Sequence, residues 1–323
     1  MNTKIGGSEL ILEAVDLIKD DEIVAFPTET VYGLGANAFS EVAVKKIFVA
    51  KGRPQDNPLI IHVDSIEMLA KVAENVSDQV IKLFEMFSPG PLTVIVNKNN
   101  QLAPSISQLS TVGVRIPNHP LALELIKRSG VPLAAPSANI STRVSATTAE
   151  FVYDDLAGKI PLVLDGGQSE VGLESTIIDM TKEVPIILRP GTIDQNRLLE
   201  VLKTVEFKKD QVIIAEAPGM KYKHYSPKVE TVMAETIETA VKCYQKNLGL
   251  NPVIIGTDQY LSDFPNLNQI ALGSTMKSIE KNYFKALRDA EKKYQYIIIQ
   301  EFDKNYDLAI MNRVLKSTGG KIV

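Results

Sequence analysis

The sequence predicts an α/β chain in two parts: a larger domain over residues 1–210 and a smaller one over 229–323, joined by a linker at 211–228. Three observations carry this reading. Apolar runs of strand length alternate with segments of helical period along most of the chain. The alternation stops at AEAPGMKYKHYSPK, residues 215–228, and then restarts. A length of 323 residues suits about two domains.

Residues 8–20 place Leu10, Ile11, Ala14, Val15, Leu17 and Ile18 on one helical stripe, with Ser8 as the expected cap. A short strand is expected over 22–26. It runs into PTETVYGLGANA, a loop of hydroxyls and glycines where open α/β sheets hold their ligands. A helix over 40–50 delivers Lys51, with Gly52 as its stop. A strand over 60–63, two helical pieces broken near Ser77, and strands over 92–96 and 112–116 follow. His119 and Pro120 start a helix over 121–129, and His119 reads as a helix-start residue before it reads as a base. A strand over 132–135, a helix over 147–156 and strands over 162–164, 175–179 and 186–189 complete the first domain, before a short apolar run over 211–215. The second part reads as a small α/β, Rossmann-like domain. Its strands fall over 229–234, 253–256, 270–272 and 296–300, and its helices over 236–247, 276–293 and 308–317.

Composition excludes several function classes. The net charge of −4 gives no global basic field for nucleic acid, so any anion site is a local patch. The single cysteine, Cys243, rules out an internal disulfide and is expected to be buried. The three histidines have no zinc-ligand spacing. No apolar run approaches a membrane span, and the first residues lack a signal-peptide pattern, so a cytoplasmic protein is expected.

Several polar residues stand where chemistry is expected. Lys51 and Arg53 sit two apart on backbone stiffened by Pro54 and Pro58, which suits a polyphosphate or carboxylate held in one pose. Arg115 alternates with Val114 and Ile116 in a strand, and a buried arginine needs a partner. That partner is either a structural carboxylate or a substrate carboxylate. Thr28, Thr30 and Tyr32 are either donors to a ligand or a turn around a buried tyrosine. Ser137, Asn139, Ser141 and Ser145 follow a strand and either reach a phosphate or ribose or cap the next helix. Arg189 ends a strand on the crevice side.

The ordered blocks PTETVYGLG (27–35), KGRPQDNPL (51–59), VGVRIPNHP (112–120), APSANIS (135–141), DGG (165–167), ESTIID (174–179) and RPGTI (189–193) carry a resemblance. Over about residues 8–228 the chain resembles the YrdC-like family, the threonylcarbamoyl-AMP synthases, in their two-domain form. The resemblance implies a twisted, mixed open sheet with helices and a concave ligand crevice, followed by a C-terminal extension domain. It implies that L-threonine, bicarbonate or carbon dioxide, and ATP give threonylcarbamoyl-adenylate and pyrophosphate. The product would pass to a tRNA threonylcarbamoyl transferase, with tRNA contact weak or indirect. Carried over residue by residue, the ATP contacts are Arg53, Asn57, Thr111, Ser137, Asn139, Ser145, Arg189 and Tyr225. The threonine contacts are Thr30, His62, Arg115, the backbone at Ala135, and Ser175. Lys51 and Arg53 take the catalytic role, within a quartet completed by Ser137 and Asn139. Mg²⁺ is expected on the ATP phosphates, with no protein ligands assigned. Two departures fall together: Thr142 stands where the family usually has Gly, and Ala146 where it usually has Pro. The segment 218–227 is expected to act as a lid or to be a plain linker. An RNA-binding module and a carbamoyl-adenylate-forming unit of the hydrogenase-maturation type are the rival readings.

Overall fold

The computed structural model describes residues 2–208, 224–303 and 308–323. These fall into two compact units. The first holds 2–141, 146–169 and 174–208, and the second holds 142–145, 170–173, 224–303 and 308–323. The apolar run expected over 211–215, and the linker as far as residue 223, lie outside the described residues.

The first unit is built on one mixed sheet. Its strands are β1 (Lys4–Gly6), β2 (Val24–Phe26), β3 (Gly33–Asn37), β4 (Ile60–His62), β5 (Ala73–Glu74), β6 (Leu92–Lys98), β7 (Thr111–Arg115), β8 (Leu133–Ala134), β9 (Leu162–Leu164), β10 (Thr176–Asp179), β11 (Ile186–Arg189) and β12 (Glu206–Phe207). They run in the order β1-β9-β2-β3-β8-β4-β7-β6-β10-β11-β12, with β5 against β6. β4 pairs parallel with β7, whereas β3, β8 and β6 pair antiparallel with their neighbours β2, β4 and β7. The helices are α1 (Ile11–Lys19), α2 (Glu41–Lys51), α3 (Ile66–Leu69), α4 (Asp78–Phe87), α5 (Pro120–Ser129), α6 (Ala149–Leu156) and α7 (Gln195–Leu199).

The two-residue period of the strands separates core from site. Ile61, Val94, Val96, Val112, Val114, Ile178 and Ile187 enter the main core. The alternate positions Ile60, Ile95 and Ile177 form a small separate cluster with Leu188. His62 therefore shares a face with Ile60, and Arg115 with Gly113. In the β4–β7 ladder His62 and Arg115 are register partners.

Local signals place the connecting segments. Ser40 caps α2 by accepting the Ala43 N–H at 3.2 Å, and Gly52 ends the helix at φ 59°. A side chain at Gly52 would meet nothing within 4 Å, so the left-handed backbone is what calls for glycine there. Ser77 starts α4, as the break in helical period predicts. Ser8, however, is no helix cap: it lies in a 3-10 turn, Ser8–Leu10, and α1 begins after Leu10 without a side-chain cap. β3 is a second departure, a strand where a loop was expected. Its glycines hide the usual β signal. A Cβ at Gly33 or Gly35 would come within 2.9 or 2.8 Å of the Phe26 ring, which lies across both.

The second unit carries the parallel sheet β13-β16-β14-β15, with β13 Glu230–Ala234, β14 Pro252–Gly256, β15 Gln269–Ala271 and β16 Tyr296–Gln300. α8 (Ile237–Lys246), α9 (Asp258–Leu261), α10 (Met276–Lys293) and α11 (Leu308–Thr318) complete it. Thr236 and Thr275 start α8 and α10 with capping boxes. Cys243 is buried in this unit's core. No helix among the described residues is long and apolar enough to cross a membrane.

Candidate active site

The end of β7 delivers Arg115 into a buried cluster. Its Nε donates to the Gly90 carbonyl at 3.2 Å and its Nη1 to Thr30 Oγ1 at 2.8 Å. Its Nη2 lies 2.7 Å from Glu29 Oε2, and both side chains are almost wholly buried. The structural carboxylate that a buried arginine requires is thus present, in a residue the sequence reading passed over. Glu29 Oε2 also accepts the Asn118 N–H at 3.0 Å, while Oε1 is buried with no hydrogen-bond partner among the described residues. Thr30 Oγ1 lies 3.0 Å from Thr28 Oγ1.

His62 stands beside Arg115. Its ring meets Phe26 edge-on at 5.8 Å, and its Nδ1 is buried without a partner among the described residues. Burial first, and the Arg115 charge second, pull its pKa down to about 3. The imidazole is neutral at any physiological pH. It can donate or accept one hydrogen bond but cannot serve as a cation.

The residues assigned to the phosphates are organised around backbone carbonyls. Lys51 is 1% exposed. Its ammonium donates to the carbonyls of Ser137 and Asn139, and its own carbonyl accepts the Ser141 N–H at 2.9 Å. Lys51 thereby fastens the end of α2 to the turn after β8. Arg53 folds onto its own loop, donating from Nε and Nη2 to the Asn57 carbonyl at 3.3 and 3.2 Å, and from Nη2 to Pro58 at 3.1 Å. Asn57 Oδ1 is left buried and without a partner among the described residues. Arg189 donates from Nε to the Ser175 carbonyl at 3.0 Å and from Nη2 to Ser175 Oγ at 3.1 Å. Ser175 Oγ in turn lies 2.8 Å from Thr93 Oγ1. The Ala135 N–H is taken by the Ile60 carbonyl at 2.8 Å. Thr111 opens β7 opposite Asn97.

Three sequence candidates have structural places. The Tyr32 hydroxyl donates to the Gly167 carbonyl at 2.7 Å and accepts the Gly166 N–H at 3.1 Å, which fastens its buried turn to the loop at 165–167. His119 caps α5 by accepting the Leu121 N–H at 3.2 Å. Tyr225 belongs to the second unit. It is buried at φ 59°, with its ring 5.1 Å from Phe284 and under Arg313 and Lys316 at 6.0 Å. Of the lid expected over 218–227, residues 218–223 lie outside the described residues. Ser145 is also counted in the second unit.

The structure therefore groups Thr30, His62 and Arg115, then Ser175 with Arg189, then Lys51 with Ser137 and Asn139, then Arg53 with Asn57. Among the described residues no group of three or more His, Cys, Asp or Glu could hold a metal ion. The signal that an acid was needed was the cost of Arg115 itself: a guanidinium in an apolar strand calls for one.

A mixed open sheet with buried cations and hydroxyls on the face away from its core, followed by a small parallel-sheet unit, defines a two-part YrdC-like protein. The sequence matches the Sua5/YciO/YrdC family, described as telomere recombination, over residues 16–191. It matches the threonylcarbamoyl-AMP synthase C-terminal domain over 193–319. It is 41% identical over 325 residues to the threonylcarbamoyl-AMP synthase of Pyrococcus abyssi, covering 96% of this chain and 94% of that protein. Identity to the Bacillus subtilis threonylcarbamoyl-AMP synthase is 39% over 328 residues, covering 97% and 94%. The crystal structure of P. abyssi Sua5 complexed with L-threonine has a TM-score of 0.92 and 38% identity, covering 100% of this chain and 99% of that one. The chain belongs to the threonylcarbamoyl-AMP synthase family.

Proposed function

We propose that this protein makes threonylcarbamoyl-adenylate from L-threonine, bicarbonate or carbon dioxide, and ATP, releasing pyrophosphate. The product then serves threonylcarbamoyl modification of tRNA adenosine beside the anticodon. Near-full-length identity to two synthases of that name, with a solved relative complexed with L-threonine, is the observation that carries the reading. The chemistry asks for two things. A carbamate loses carbon dioxide readily in water, so it must be formed in an enclosed place. Its oxygen must then meet the α-phosphate in line, so both substrates must be held before reaction.

The residues divide between these tasks. Arg115 takes the threonine carboxylate, and Thr30, Ser175 and the Ala135 backbone supply the further threonine contacts. His62, neutral and half-satisfied, adds one hydrogen bond without adding charge. Arg53, Asn57, Thr111, Ser137, Asn139, Ser145, Arg189 and Tyr225 take ATP. Lys51 works on the charge of the phosphates and, through the Ser137 and Asn139 carbonyls, on the shape of the turn that receives them. Mg²⁺ carried on the ATP phosphates would neutralise charge developing at the α-phosphate.

The test is a product assay: protein, ATP, bicarbonate and each amino acid, with adenylates identified by mass. Pyrophosphate release that needs both threonine and bicarbonate is the expected result. Release indifferent to threonine would favour a carbamoyl-adenylate unit of the hydrogenase-maturation type. Salt-dependent RNA affinity without turnover would favour an RNA-binding module.

A further inference from the structure

Glu29 is 4% exposed, and its two carboxylate oxygens are treated differently. Oε2 accepts the Asn118 N–H at 3.0 Å and forms an ion pair with Arg115 Nη2 at 2.7 Å, a contact that makes no hydrogen bond and leaves Nη2 without a hydrogen-bond partner among the described residues. Oε1 is buried and has no partner among the described residues. An anionic oxygen stripped of water and given no donor is costly, and native interiors rarely leave one. Arg115 cannot turn to relieve it without loss, because Nη1 is committed to Thr30 and Nε to the Gly90 carbonyl. The register partner of Arg115, His62, adds a further unpartnered buried atom, Nδ1. The cluster is thus one cation and one anion side by side, with its polar capacity incompletely used. A receptor of zero net charge suits a ligand of zero net charge that carries both signs.

We propose that Glu29 Oε1 receives the ammonium group of the amino-acid substrate, so that Glu29 and Arg115 together read a zwitterion. Glu29 is then a specificity-determining residue: it restricts the site to α-amino acids and rejects the same acids without the amino group. This rests on the threonine-dependent reading above. Glu29 acts in binding. The nitrogen must shed its extra proton before it bonds to carbon dioxide, so the contact belongs to the bound substrate and not to the later carbamate.

The experiment compares calorimetric binding of L-threonine with that of 3-hydroxybutyrate, which keeps the carboxylate and side-chain hydroxyl but has no ammonium. Glu29→Gln keeps the shape and the hydrogen bond from the Asn118 N–H while removing the charge; Glu29→Asp keeps the charge on a shorter stem. In Glu29→Gln, L-threonine affinity should fall at least tenfold, 3-hydroxybutyrate affinity should change less than twofold, and ATP affinity should be unchanged. Glu29→Asp should recover part of the preference for threonine. In turnover assays the loss should appear in KM for threonine more than in kcat. Equal losses for both ligands in Glu29→Gln would overturn the proposal and leave Glu29 as an anchor for Arg115. If Glu29→Gln does not fold, a Glu29→Asp protein with a weakened but remaining preference for threonine supports the proposal, and one that loses affinity for both ligands equally overturns it. Wild-type protein that fails to bind L-threonine would overturn the functional reading itself, a result separable from the other two.

Discussion

Each unit buries an arginine–glutamate pair, and the two pairs are finished differently. In the second unit Glu291 uses both oxygens: Oε1 pairs with Arg143, and Oε2 accepts the Lys228 N–H at 2.7 Å. Arg288 stands 3.7 Å away and donates to the Val144 carbonyl. In the first unit Glu29 uses one oxygen and leaves the other bare. The same ingredients serve as internal scaffolding where the carboxylate is saturated and as a receptor where it is not. Both clusters leave an arginine nitrogen without a hydrogen-bond partner among the described residues, so the difference lies in the carboxylates alone: burial of charge does not by itself mark a site, and a bare carboxylate oxygen is the sharper pointer.

The sharpest way to break this contrast is to remove a cation. Arg115→Ala strands Glu29 as a lone buried anion and should cost about 3–5 kcal/mol of stability, read by urea unfolding. In protein that remains folded, threonine affinity should drop far more than ATP affinity in separate calorimetric titrations. Equal losses would mean that Arg115 is scaffolding too. Glu291→Gln, in the saturated set, should cost a comparable or slightly smaller amount, about 2–4 kcal/mol. It should leave threonine affinity within twofold of the wild type, because Glu291 has no bare oxygen to offer.

Acid titration sharpens the contrast from another side. His62 has its folded pKa near 3, below the ordinary value of 6.5. The unfolded chain therefore binds a proton first as pH falls. The stabilising effect of the neutral imidazole is complete above about pH 6.5 and is lost progressively down to about pH 3. By pH 4.5, two units below the ordinary value, the loss should be about 3 kcal/mol. His62→Gln should flatten that part of the pH–stability curve, and an unchanged slope would place the acid sensitivity elsewhere.

The smallest expected effect lies in the second unit. Thr142 holds φ 73°, a left-handed conformation that strains a β-branched residue, and its carbonyl accepts the Ser226 N–H at 3.0 Å. Thr142→Gly should raise stability by about 1 kcal/mol, seen as a higher melting temperature. A lower one would mean that the threonine side chain contributes more than its backbone costs.

Regular elements were the most legible part of the chain. The helix over 276–293 and the strand over 296–300 coincide with α10 and β16 because their periods and caps are uninterrupted. β3 was not legible, since a strand of Gly33, Gly35 and alanine reads as a loop until the Phe26 ring that fills it is seen. At the site, the need of Arg115 for an acid could be read from its apolar neighbours. That the acid is Glu29 could not, because the partner lies on a different element far upstream. Lys51 shows the same limit from the other direction. The sequence displays a cation and not its target, and here the ammonium is aimed at two carbonyls.

The Phe26 ring ties two positions together that share no chemistry. It lies over Gly33 and Gly35, and it also presents its edge to the His62 imidazole at 5.8 Å. Any side chain at Gly33 would arrive 2.9 Å from the ring tip and have to push it aside, since Phe26 is wholly buried and has nowhere free to swing. The ring helps keep water from the imidazole, so its displacement would be felt there first. A Gly33→Ala change, silent to any inspection of polar groups, should therefore register as a drift in the titration of a histidine on another strand.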